Sequence, residues 1–247
     1  MISSIYHAAI YQPLYNGLVG LISILPWADV GIVVILFTII IKLALFPLSK
    51  KSVATQIQMK KIEPDIAKLR EEFKDNKQEL ALRTMQLYKE KGVRPFLSVL
   101  LVFIQLPIIF ALYRVFWHSG LPVVNTELLY SFIHAPSADT INMNFLGLIN
   151  VSSKSIVLAV LVGISTFFQT KIMAAKLTPA PASAQDTEAD RFKKDLAKSM
   201  HLQMKYVLPL LTAFISYGIS AAISLYWITS NIFTIGQEIV LKRKLDK

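Results

Sequence analysis

Long apolar runs alternate with polar, charged segments along this chain. The first continuous run begins at Asp29 and is closed by Lys50 and Lys51. A helix that rises ~1.5 Å per residue needs ~20 residues to cross the hydrocarbon core of a bilayer. Residues 29–48 are therefore predicted to form a first membrane span. Runs of similar length predict a second span at residues 96–117 and a third at residues 154–174.

The last apolar region, residues 206–240, is too long for one ordinary span. Residues 218–222 are its least bulky part, which predicts a reversal there. The region then gives a fourth span at 206–219 and a fifth at 221–240. The fourth is short for a ~30 Å core, which favours tilt or local thinning of the bilayer. The predicted fold is an all-α polytopic membrane protein with five transmembrane helices.

The N-terminal segment, residues 1–28, is apolar and aromatic but interrupted. Pro13 and Pro26 break its helical spacing, and Gln12 and Asn16 add polar positions. Such a pattern is typical of an amphipathic helix that lies at the membrane interface. The competing interpretation is a first true span, because the run nearly reaches spanning length.

Residues 49–95 are rich in charges of both signs. The spacing of four apolar positions places them on one helix face: Ile62, Ile66, Leu69 and Phe73. Asp75 and Asn76 predict a turn, and Gly92 predicts the end of a second helix. This segment is therefore predicted to be a water-exposed helical hairpin.

The charges between the spans predict the orientation of the chain. Residues 118–153 contain Glu127 and Asp139 but no Lys or Arg, whereas residues 49–95, 175–205 and the tail 241–247 are basic. By the positive-inside rule the basic segments are cytoplasmic, the N-terminus is outside and the C-terminus is inside. The formal net charge of +10 is explained in the same way, and no direct nucleic-acid binding is expected.

Composition argues against a soluble enzyme. The chain is 54% hydrophobic and 17% charged, against ~25% charged residues in typical soluble domains. It has no cysteine, its four histidines show no metal-ligand spacing, and no nucleophile–base motif appears. We therefore expect no catalytic activity, no cofactor and no metal.

Polar side chains inside the spans are the candidate functional residues. Lys42 lies in the first span, where a charge costs at least ~2.5 kcal/mol, and Thr38 shares its helix face. Other polar positions lie in or near later spans: Gln105, Thr166, Gln169, Thr229 and Asn231. If these faces converge, they line a hydrated pocket around Lys42. Alternatively Lys42 snorkels to the cytoplasmic interface, and the uncharged residues form interhelical hydrogen bonds.

An ordered set of sequence stretches resembles the YidC-type membrane protein insertase family, the bacterial relatives of the mitochondrial oxidase-assembly insertases. These stretches are IIIKLALFPLSKK, KIEPDIAKLREEFK, LYKEKGVRPF, IQLPIIFALYRV, FFQTKI, KYVLPLL and LYWITSNIFTIGQE. The resemblance implies five spans around a hydrophilic groove that opens to the cytoplasm and to lipid.

The resemblance also assigns residues and partners. It puts Lys42 at the basic position of the groove, where the family most often has Arg, and it makes Thr38, Gln169 and Trp227 groove-lining residues. We add Gln105 to this set because it is a polar side chain at mid-depth of the second span. The implied partners are nascent membrane proteins, the bilayer, the ribosome and the general secretion channel. The implied location is the bacterial cytoplasmic membrane.

Two other functions stay open on the sequence alone. A small-solute transporter or channel would use Lys42 to bind an anion, although no internal repeat supports this class. A purely structural assembly subunit would not need the Lys42 charge. An insertase and membrane-protein chaperone is the function that we expect.

Overall fold

The computed structural model of the chain describes residues 2–94, 96–117, 121–174, 196, 199 and 202–245. The described chain is mostly helical, which confirms the predicted all-α class. In chain order its α-helices are α1 Ile2–Tyr6, α2 Gln12–Ile24, α3 Val30–Ala44, α4 Phe46–Lys61, α5 Glu63–Glu72, α6 Lys77–Glu90, α7 Phe96–Trp117, α8 Ile156–Ala174, α9 Leu208–Gly218 and α10 Ala221–Leu245.

Shorter elements complete the described chain. π-Helical turns at His7–Tyr11 and Gln203–Val207 lead into α2 and α9. Two 3-10 turns, Thr126–Leu128 and Ala138–Thr140, lie between α7 and α8. The same connection holds an antiparallel ribbon in which β1 Asn144–Phe145 pairs with β2 Ile149–Asn150. Most of the cytoplasmic loop predicted at residues 175–205 lies outside the described residues, and so do residues 246 and 247 of the predicted tail.

Prolines and small residues determine where the long apolar regions break. α3 ends at Ala44, four residues before the predicted end of the first span. Pro47 lies in the first turn of α4, where its missing N–H costs nothing, whereas inside a continuous helix its ring would clash with the preceding turn. Ile219 and Ser220 separate α9 from α10, within the predicted reversal at 218–222.

The chain divides into two compact units. The first unit comprises residues 1–43 and 107–237, and the second comprises residues 44–106 and 238–247. The core of the first unit is built from α2, α3, α8, α10 and the second half of α7. Each of these helices contributes a fully buried side chain: Tyr15, Val33, Val115, Val162 and Tyr226.

In the first unit, α2 is held against residues 121–155, which we call the connecting segment. The Asn16 side chain donates to the carbonyl of Leu128 (2.8 Å) and accepts from the N–H of Tyr130 (2.6 Å). The Tyr15 hydroxyl accepts from the N–H of Asn125 at 2.8 Å. These side chains satisfy backbone groups that no regular strand or helix pairs, so they fix the path of the connecting segment.

The part of α7 that belongs to the first unit contacts the N-terminal segment, in one case through the charged side chain of Arg114. The guanidinium carbon of Arg114 lies 5.0 Å from the centre of the buried Tyr11 ring. The Tyr6 hydroxyl donates to the carbonyl of Pro107 at 3.3 Å. A cation over an aromatic face is stabilising, and more so when water is excluded.

The second unit contains two charged helices, α5 and α6, joined by a turn. Asn76 accepts from the N–H of Glu79 (3.1 Å) and so caps α6, and Gly92 adopts a φ of +64° just beyond its end. A small apolar cluster holds the helices: Ile62, Ile66 and Val93, with Met59, Leu87 and Tyr88 packed against it. The remaining faces carry charge, as in the Glu79–Arg83 ion pair of 2.9 Å.

Many helices of the described chain turn large apolar side chains outwards. On α8, Ile156, Val160 and Phe168 are at least half exposed, and so is Phe214 on α9. Within the described residues, Ile156–Met173 is long and apolar enough to cross a membrane, and α3 with α4 also qualifies if the pair is one broken span. Exposed apolar helix faces of this kind are expected where the surroundings are lipid rather than water.

Candidate functional site

Lys42 lies in the last turn of α3 and is half-buried. Its ammonium Nζ donates to the hydroxyl Oγ1 of Thr234 on α10, at 3.4 Å. The Thr234 hydroxyl itself donates to the carbonyl of Ser230 at 2.8 Å, so its lone pairs remain for Lys42. Among the described residues, the partner of the Lys42 ammonium is therefore a neutral hydroxyl and not a carboxylate.

Thr38 lies one turn before Lys42 on α3 and is fully buried. Its hydroxyl donates to the carbonyl of Val34 at 2.6 Å, as a threonine in a helix commonly does. The side chain is therefore packed inside the first unit beneath the turn that carries Lys42.

A buried polar cluster links α8 to α10. The Asn231 amide donates to the hydroxyl of Ser165 (3.0 Å) and to the hydroxyl of Thr166 (2.9 Å). All three side chains are buried, so both amide hydrogens are satisfied by side chains of the facing helix. Asn231 and Thr234 are three residues apart on α10, which puts the cluster one turn from the partner of Lys42.

Two further predicted residues lie on the same helices. Trp227 is half-buried on α10, four residues before Asn231, and Gln169 is half-buried on α8, three residues after Thr166. Spacings of three and four put both residues on the faces that carry the buried cluster. The first unit thus brings α3, α8 and α10 together through Lys42, Thr234, Thr166 and Asn231.

The structure does not bring every polar residue of the spans to this site. Thr229 is half-buried and donates to the carbonyl of Leu225 on its own helix, at 2.7 Å. Gln105 is half-buried on the part of α7 that belongs to the second unit. It is therefore described with that unit and not with the cluster around Asn231.

Sequence reasoning missed Thr234, the residue that contacts Lys42. The signal was present, because Trp227, Asn231 and Thr234 recur at i, i+4 and i+7 and so define one face of α10. A lone threonine in the middle of a helix is unremarkable by itself. Its role emerges only when the two helices are seen to pack.

The other end of α3 is fastened by Asp29. Its Oδ1 accepts from the N–H of Ile32 (2.9 Å), and its Oδ2 accepts from the N–H of Leu146 in the connecting segment (3.0 Å). Lys42 is thirteen residues further along, a rise of ~20 Å in an α-helix. The buried acid and the candidate cation are thus at opposite ends of α3, and Asp29 has a capping role.

Comparison with known proteins identifies a single family. The family model described as "60Kd inner membrane protein" matches residues 23–247. A protein of Clostridium tetani named "Membrane protein insertase YidC" is 32% identical over 222 residues, which cover 90% of this chain and 86% of that protein. A protein of the same name from Fusobacterium nucleatum is 30% identical over 214 residues, covering 87% and 86%.

A longer protein of that name occurs in Francisella tularensis subsp. novicida. It is 30% identical over 213 residues, which cover 86% of this chain but 32% of that protein. The similarity to this relative is therefore confined to one part of its length.

Proposed function

Because the chain belongs to the 60Kd inner membrane protein family, we propose that it is a membrane protein insertase and chaperone of the bacterial inner membrane. Nascent membrane proteins are its substrates, and the bilayer is its second partner. Within this proposal, Lys42 attracts acidic segments of the substrate into a hydrophilic groove. Thr38, Gln169 and Trp227 are the other groove residues that we assign in the first unit, and Gln105 stays a separate candidate in the second unit.

The observation that carries the proposal is the environment of Lys42. An ammonium group that is half-buried and bonded to the neutral Thr234 hydroxyl keeps its charge uncompensated within the described chain. Burying such a charge is expensive unless it is paired or reaches water. A hydrated groove lowers that cost, and an arriving carboxylate supplies the missing counter-charge for the time of passage.

The mechanism follows from the cost of moving polar chain through hydrocarbon. Each unpaired backbone group or charge of the substrate's outer segment loses its water on entry into lipid. A wet groove that reaches part-way into the bilayer shortens the dry path. The substrate's apolar helix then leaves sideways into lipid, driven by ~25 cal/mol for each Å² of apolar surface removed from water.

The remaining parts of the proposal concern the two sides of the membrane. The basic residues of 49–95 make the helical hairpin cytoplasmic, where it receives the emerging substrate. The short basic tail is the proposed contact with the ribosome, and the general secretion channel is a further proposed partner. The N-terminal segment and the connecting segment then lie on the outer side, with α1 and α2 as an interfacial element.

The test uses purified protein in liposomes and a small single-spanning client with an acidic outer tail. We expect wild type and Lys42→Arg to insert the client, and Lys42→Ala and Lys42→Glu to lose about tenfold in insertion rate, which corresponds to ~1.4 kcal/mol. The matched control is the same client with a neutral tail. Its insertion should depend little on residue 42, because the attraction is electrostatic.

Each unexpected outcome of the insertion assay would contradict a different part of the proposal. Equal insertion of the acidic client by all four proteins would remove Lys42 from the mechanism and leave the insertase standing. If folded wild-type protein inserts no client, although the client itself is competent for insertion, the proposal that the chain is an insertase is wrong. A Lys42-dependent anion flux through the same liposomes would establish the transporter instead.

A further inference from the structure

A cavity of about 720 Å³ lies in the first unit, between α2 and residues 132–140 of the connecting segment. Its walls come from the last two turns of α2, from the residues that lead into α3, and from the turn around His134. It lies at the Asp29 end of α3, and the groove residues around Lys42 are not part of its lining. The groove proposal therefore does not account for this cavity.

The walls of this cavity carry no charged side chain, and its polar side chains are mostly engaged elsewhere. Asn16 uses its amide on Leu128 and Tyr130, and Ser23 donates to the carbonyl of His134 at 2.6 Å. Thr140 donates to the carbonyl of Ser137 at 2.7 Å. His134 is the remaining polar side chain of the lining and is exposed. The cavity therefore offers little hydrogen bonding to water or to a polar ligand, and it suits hydrocarbon.

The most exposed side chains in and next to the lining are also apolar. Ile24 and Phe132 of the lining are 73% and 75% exposed, and Trp27, which follows the lining residue Pro26, is 74% exposed. Exposed large apolar side chains grouped in this way mark a contact with another apolar surface. In a membrane protein, a tryptophan among them is typical of the level where headgroups meet acyl chains.

The volume of the cavity favours a lipid acyl chain over a substrate helix as its occupant. One turn of an α-helix, 5.4 Å long and ~10 Å across with side chains, fills roughly 420 Å³. A cavity of about 720 Å³ therefore holds less than two turns, whereas a substrate span needs ~20 residues. A single flexible acyl chain has no such minimum width. We propose that this cavity binds an acyl chain of a phospholipid and so ties α2 and the connecting segment to the bilayer.

The test is photolabelling of the full chain in vesicles of phosphatidylethanolamine and phosphatidylglycerol, with a small fraction of phospholipid that carries a diazirine on its acyl chain. We expect adducts on peptides that contain residues 16–28 and 132–140, as well as on the exposed face of α8. The α8 adducts report ordinary contact with bulk lipid and serve as the internal reference.

Two variants fill the cavity from opposite walls. Gly20→Leu adds a side chain where an added Cβ meets Ile133 at 3.6 Å, an ordinary contact, and Ala135→Phe narrows the cavity from an exposed position of the connecting segment. We expect each to reduce the cavity adducts several-fold relative to the α8 adducts. The matched control is Gly236→Leu, which makes the same change on α10 in open space and should leave the ratio unchanged.

Three results would overturn the proposal. The first is an absence of cavity adducts in wild type while α8 is labelled. The second is an unchanged ratio in both filling variants, since this would mean that the lipid touches only the rim. The third is labelling of the cavity walls by a client with a photoreactive apolar span in place of the lipid, which would assign the cavity to the substrate.

Discussion

Thr234 shows how a single hydroxyl can set the position of a charge. It donates to the carbonyl of Ser230 on its own helix and accepts from Lys42 on α3, so it is a hydrogen-bond donor in one interaction and an acceptor in the other. A lysine side chain has several rotatable bonds and loses ~2 kcal/mol of rotamer freedom when it is fixed. In the structure the ammonium lies beside α10, 3.4 Å from this acceptor, and snorkelling to the interface would give up that contact.

Thr234→Val removes this acceptor with little change in volume. If the insertase proposal holds, we expect a several-fold loss in insertion of the client with the acidic tail and a smaller change for the neutral tail, because only the position of the charge is altered. Thr234→Ser keeps the hydroxyl and should retain most of the activity. The measurement is the liposome insertion rate of both clients. Equal rates for Val and wild type on the acidic client would mean that Thr234 does not position Lys42.

Asp29 joins two elements that are far apart in sequence. One carboxylate oxygen caps the first turn of α3, and the other accepts from Leu146 beside the β1–β2 ribbon. The ribbon approaches α3 closely because residue 31 is glycine, and an added Cβ would collide with the ring of Phe145. Gly31 and the buried Asp29 together thus allow the connecting segment to pack against the N-terminal end of α3.

Asp29→Ala should destabilise this junction by roughly 2–3 kcal/mol, since a helix cap and a buried hydrogen bond to a charged group are both lost. Asp29→Asn retains one acceptor oxygen and should cost less. The measurement is hydrogen exchange of the Ile32 and Leu146 amides in detergent or nanodiscs, where both should exchange faster. Asp139→Ala, an exposed acid of the same segment, is the control. Unchanged protection at both amides in Asp29→Ala would show that the carboxylate does not hold the junction.

Local chemistry made several element ends predictable. Asn76 caps α6, Gly92 takes a positive φ beyond its end, and the break at Ile219 and Ser220 falls in the least bulky part of the last apolar region. The end of α3 at Ala44 was less evident, because the apolar pattern continues through Leu48 and only Pro47 marks the change. Hydropathy reports burial in lipid, whereas helix ends depend on backbone hydrogen bonds.

Contacts between helices that are distant in sequence could not be predicted from the sequence. The polar residues Thr166 and Asn231 were visible as candidates, but their bond to each other, and the bond from Lys42 to Thr234, depend on how α3, α8 and α10 pack. The pairing of Asn16 with Leu128 and Tyr130 likewise joins residues more than a hundred positions apart. Periodicity identifies the face of a helix and leaves its partner undefined.

The orientation of the whole molecule rests on charge, and the absence of cysteine makes it directly testable. Ser137→Cys and Asp75→Cys place single thiols at exposed positions, one in the connecting segment and one in the turn between α5 and α6. We expect a membrane-impermeant maleimide to label Ser137→Cys in intact cells, and Asp75→Cys only after the inner membrane is opened. The reason is that Lys and Arg cross to the outer side reluctantly, and the connecting segment, unlike the hairpin, contains none before Lys154.

A third single-cysteine variant tests whether the exposed face of α8 is surrounded by lipid or by water. Leu161→Cys lies on an exposed position of α8, within the stretch long enough to span a bilayer, and should resist the reagent from both sides because a thiol in lipid forms little reactive thiolate. Labelling of Leu161→Cys in intact cells would place this face of α8 in water and remove it as a membrane span. Labelling of Asp75→Cys before Ser137→Cys would reverse the orientation, and the proposed groove would then open on the wrong side to receive a chain from the ribosome.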